Sequence, residues 1–178
     1  MAKIVDLREY RKKTIEQKAF GSWKKRFGET YGTDTGFKDL SDKTLFSLAT
    51  PGEKSALAYY EFIMGTLELG GAMKFYYLEK EEQLRVMDMH LFLADQIRYE
   101  MMRRLGWIDN YACKDFTLLH IIQAFDKVKA RCIGYPPKLS NSHAEIESFT
   151  KLIDGDKEIF IRRMLPKALE AFKQLIEP

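Results

Sequence analysis

Four carboxylates stand out for chemistry. Glu61 and Glu68 are seven residues apart, and so are Asp88 and Asp95 in the segment that follows. Seven residues is close to two helical turns, so each pair lies on one face of a helix. Both pairs sit among Leu, Met, Phe and Ile, where an ionised group costs free energy unless it is paired. If the two helices pack antiparallel, the four carboxylates converge on a pocket for a metal or a cationic ligand. Arg98, three residues after Asp95, supplies the competing arrangement of buried ion pairs, with Asp88 taking donors from a neighbouring helix. A di-iron bundle needs Glu-x-x-His on its helices. His90 is preceded at that distance by Met87 and His120 by Thr117, so no metal and no cofactor is expected. The ligand-binding candidates are Glu61, Glu68, Asp88, Asp95 and Arg98.

Other constellations are poorer in chemistry. His90, His120 and His143 share no ligand spacing, and neither cysteine lies in a Cys-x-x-Cys pair. Nucleotide-loop, nucleophile-elbow and zinc-protease motifs do not occur, so no residue is nominated as catalytic and the sequence leaves open whether the chain is an enzyme.

Two surfaces suggest partners. Residues 1–27 carry nine basic groups, Lys3 among them, against three acids, while the whole chain is only +3. Arg11, Lys18 and Lys25 recur every seven residues as a basic ridge, fit for an acidic protein partner. Nucleic acid is disfavoured, because the total charge is small and Phe20, Trp23 and Phe27 follow the helix's own apolar stripe. Tyr59 and Phe62 point away from the stripe that holds Tyr60 and Ile63, which makes them candidates for a self-association surface.

These residues require helices to position them. Hydrophobic residues make up 46% of the 178 and there are only five prolines, which suits long helices in a single domain. Helices are expected over 6–27, with Gly28 as the stop, and over 41–49, followed by a helix from Thr50-Pro51-Gly52-Glu53 capped by a Thr/Glu box. That helix has Ala56, Leu57, Tyr60, Ile63, Met64 and Leu67 as its core stripe. Residues 28–40 read as a loop. The longest helix runs to Leu105, with acids from Glu79 at its start and Arg103 and Arg104 at its end, where each suits the helix dipole. Its exposed strip is expected to carry Arg85, Gln96, Glu100 and Arg103, while Leu84 and Leu91 share the inner face with the aspartates. Further helices fit 115–133, 142–153 opening on a Ser142–Glu145 capping box, and 156–176 split or kinked at Pro166. One helix joining Cys113 to Cys132 would hold them roughly 28 Å apart, too far to pair.

The expected architecture is all-α, a single-domain bundle of six or seven helices around a long central helix near residues 80–105, without a strand hairpin. Charges interrupt every apolar run, so no membrane span is expected and a cytoplasmic setting is. The leading functional expectation is a non-enzymatic interaction or regulatory protein that self-associates as a homo-oligomer. A small-ligand bundle with a carboxylate-lined pocket is the alternative, and weak nucleic-acid binding through the first helix is a further one.

Overall fold

A computed structural model describes Ile4 and residues 6–178; Lys3 of the basic segment lies outside the described residues. The chain is predominantly helical. Helix α1 (Leu7–Phe27) starts where the Asp6 carboxylate accepts the backbone N–H of Arg8 and stops at Gly28, whose φ of 74° is the left-handed conformation a stop of this kind needs. Residues 28–40 form a packed connector rather than a slack loop. Phe37 and Leu40 are buried, the Glu16 carboxylate accepts the N–H of Thr33, and Gly36 bridges to Thr117.

Helix α2 (Asp42–Ala49) is capped by Ser41 and leads to α3 (Glu53–Thr66). The expected Thr50/Glu53 box does not form. Thr50 closes α2, its hydroxyl donates to the carbonyl of Phe46, and Gly52 takes the cap of α3 at a φ of 153°. The turn between the helices is too short for Thr50 to serve both. Helix α3 buries a second face beside its expected stripe, of which Ile63 and Met64 are buried and Tyr60 and Leu67 pack against the core. Ser55, Ala58, Tyr59, Phe62, Ile63 and Met64 are buried, whereas Leu57 is exposed.

A 3-10 segment (Ala72–Tyr77) precedes α4 (Lys80–Arg104), the longest helix, which contacts α2, α3, the strand after it and the last helix. Its C-terminal half is enclosed. Its N-terminal half is buried on one side only, through Val86 and Met89. Strand β1 (Ile108–Asn110) pairs antiparallel with β2 (Lys138–Leu139), a small ladder the alternation pattern did not announce. Between the strands lie α5 (Leu118–Gln123) and α6 (Phe125–Ile133), separated by a break at Ala124. Cys113 therefore sits on a turn and Cys132 on the last turn of α6, both buried, and the separation argued from one continuous helix does not hold.

Helix α7 (Ile146–Thr150) is a short remnant of the expected 142–153 helix. The Ser142 hydroxyl is engaged with Ser140 rather than with a helix end, so that capping box is also absent. Helix α8 (Asp154–Arg163) and α9 (Leu165–Ile176) divide at Met164, with Pro166 in the first turn of α9, where its missing N–H leaves no bond unmade. The seven expected helical segments are thus present, two of them split, giving α1–α9 among the described residues.

Candidate functional site

The four carboxylates do not converge. Glu61 accepts two 3.0 Å hydrogen bonds from Arg26, and Glu68 pairs with Lys18 at 3.0 Å, so both face α1 rather than α4. Asp88 pairs with Lys129 of α6 at 2.6 Å, and Asp95 with Arg162 of α8 at 2.6 Å. Arg98 lies 3.8 Å from Asp95 and donates its Nε–H to the carbonyl of Ala49. No cluster of three or more His, Cys, Asp or Glu side chains suited to a metal occurs among the described residues. The physical reason is the antiparallel contact of α3 with α1, which turns the carboxylate flank of α3 away from α4.

Three of the four carboxylates still border a hollow. Glu61, Glu68 and Lys18 line an open cavity of about 520 Å³, together with Ser22, whose Oγ is buried without a hydrogen-bond partner. Asp95 lines a smaller one of about 120 Å³ with Tyr99 and Arg162. Burial pushes the Asp95 carboxyl above its usual range, although Arg162 and Arg98 oppose the shift. The hydrogen bond from Lys18 holds Glu68 below it.

The charged group at the heart of α4 is instead Glu100, expected on the exposed strip but 1% exposed. Its carboxylate accepts from Arg103 twice at 2.9 Å, from Arg104 at 3.0 Å and from the Tyr111 hydroxyl at 2.8 Å. Arg104 continues to Asp42 and to the carbonyl of Phe37, tying α4 to α2 and the connector. Burial alone would raise the Glu100 carboxyl, yet these bonds hold it below its ordinary value. Gln96, expected exposed with it, is buried too.

The partner-surface candidates divide. Tyr59 and Phe62 are core residues, 1% and 0% exposed. The Tyr59 hydroxyl donates to the carbonyl of Leu48, and Phe62 packs on Phe20 and Trp23. They cannot form a surface, because α1 covers Phe62 while α2 and α4 cover Tyr59. Arg11, Lys18 and Lys25 are exposed, but Lys18 is spent on Glu68, which also sits near Arg11. The basic ridge is therefore interrupted by a carboxylate at its middle.

The surface that does open is on the face of α4 assigned to the interior. Leu84, Met87 and Leu91 are 56%, 43% and 61% exposed. Their spacing of three and four residues makes a straight apolar seam. One flank continues through His90, whose ring lies 5.1 Å from Tyr60, then through Phe75 at 4.9 Å from Tyr60, to Tyr76. Leu57, one turn before Tyr60, and Met73, Tyr76 and Tyr77 are all exposed beside it. Burial keeps His90 below its ordinary pKa, with Arg98 adding to the effect, so this flank is uncharged near neutral pH. The Asp88–Lys129 ion pair edges the other flank. The crowding of Glu79, Glu81, Glu82 and Arg85 around Leu84 was the available signal that this end of the helix leaves the core.

No family model, curated protein or solved structure matches the chain. No helix among the described residues is long and apolar enough to cross a membrane.

Proposed function

We propose that the chain is a non-enzymatic helical interaction protein whose partner is a second copy of itself, docked through the outer face of α4. The observation that carries this reading is the exposed seam of Leu84, Met87 and Leu91 with its aromatic flank. Exposed apolar patches on monomers rarely exceed a few hundred Å². Seven large apolar side chains (Leu57, Met73, Tyr76, Tyr77, Leu84, Met87, Leu91) are exposed on α4 and the elements before it. The seam is also nearly symmetric about Met87. A two-fold axis there sets Leu84 of one copy against Leu91 of the other, the self-complementarity a two-fold dimer requires.

Light scattering after size exclusion tests this reading. A dimer is expected at tens of micromolar, and a monomer for Leu84→Glu and Leu91→Glu, with circular dichroism unchanged because both side chains are exposed. A wild-type monomer at high micromolar concentration, or variants that remain dimeric, sinks the proposal.

A further inference from the structure

A third cavity is lined by none of the residues of the α4 seam. It occupies about 450 Å³ between the turn after β1, the end of α6, the stretch leading into β2, and the start of α8. That volume is within the range of small-molecule sites. Lys114, Arg131, Lys138 and Lys157 line it, against Asp115 and Asp154. Lys157 neutralises Asp154 at 3.1 Å. Lys114, Arg131 and Lys138 take part in none of the ion pairs among the described residues.

Asp115 is unpaired too, so these three cations, delivered from three separate segments, leave the hollow with a net charge of +2 and a field that favours an anion. The Arg131 guanidinium lies 5.6 Å over the Phe116 ring, a contact that uses its face rather than its N–H donors. Tyr135, 69% exposed, stands at the same cleft on the rigid Pro136-Pro137 stretch and presents a flat apolar ring beside the charges. The floor is firm, because Tyr111 lines it and is anchored through its hydroxyl to Glu100.

We propose that this cleft binds a nucleoside triphosphate, the phosphates held by Lys114, Arg131 and Lys138 and the base stacked on Tyr135. A polyphosphate complements the net positive charge of the cleft, and a base matches the exposed ring in shape. Inorganic polyphosphate would satisfy the cations and leave the ring idle.

Isothermal titration with ATP, GTP, CTP and UTP, and separately with tripolyphosphate and adenosine, decides between these ligands. Saturable binding of at least one nucleotide below about 1 mM is expected. Lys114→Ala with Lys138→Ala should weaken it at least about tenfold. Tyr135→Ala should weaken the nucleotide about tenfold while leaving tripolyphosphate unaffected. Leu84→Glu should bind as the wild type does, which separates this site from the dimer. No saturable binding by any of the four nucleotides, or equal affinity in the lysine double variant, overturns the site. Tripolyphosphate binding as tightly as the nucleotides, with Tyr135→Ala without effect, overturns the nucleotide assignment.

Discussion

Glu100 and Asp95 lie on the same helix, and their opposite fates show what a buried carboxylate requires. Glu100 has four donated hydrogen bonds and is held ionised, whereas Asp95 has one short ion pair and a carboxyl raised by burial. Removing one member of a fully engaged buried pair costs about 3–5 kcal/mol, since the remaining charges lose their partner. Glu100→Ala should therefore lower stability by that order in urea unfolding, and Asp95→Asn by less than about 1 kcal/mol at neutral pH. The acid dependence follows from the signs. A carboxyl lowered in the native state contributes stability that is complete above its unfolded pKa of about 4.3 and is lost as pH falls through the native value. A carboxyl raised in the native state contributes below about pH 3.9 and loses that contribution as pH rises. An acid titration of stability should thus lose a downward limb in Glu100→Gln and keep it in Asp95→Asn. Angular position on the wheel placed Gln96 and Glu100 together, as the structure does. It could not say that Tyr111 and the connector at Phe37 close over that side, because those contacts come from distant chain.

Among the elements, the contact of α1 with α3 is the tightest. A Cβ placed on Gly65 would lie 1.9 Å from the carbonyl oxygen of Lys18, so the two backbones touch there with no side chain between them. Below this point Trp23 donates its indole N–H to the carbonyl of Ala58 at 2.8 Å. Gly65→Ala must push the helices apart and should cost about 3 kcal/mol or more. Arg26→Ala, which loses only a partly exposed pair with Glu61, should cost less than about 1 kcal/mol in the same denaturation experiment. Helices α1 and α4 were legible in the sequence because dipole-matched charges and terminal glycines mark both. The break at Ala124 was not, since neither Gly nor Pro marks it. Both capping boxes failed because their hydroxyls found nearer acceptors or partners, at Phe46 and at Ser140. The interaction seam was visible as a pattern and misassigned in depth: the periodicity of Leu84, Met87 and Leu91 is the same whether a neighbour covers them or water does.

For the whole molecule, a dimer predicts that thermal stability depends on protein concentration. A tenfold increase should raise Tm by about 2–4 °C in the wild type and leave Leu91→Glu unchanged by calorimetry. The chain also carries two tryptophans in contrasting surroundings. Trp23 is sealed between α1 and α3, and Trp107 is half-buried with its ring 5.4 Å from that of His143. Their emission should differ in colour, the sealed indole glowing bluer than its half-wetted counterpart. Light from this protein therefore separates into two channels without any added dye: one follows the first helix leaving its seat, the other the loosening of the strand pair.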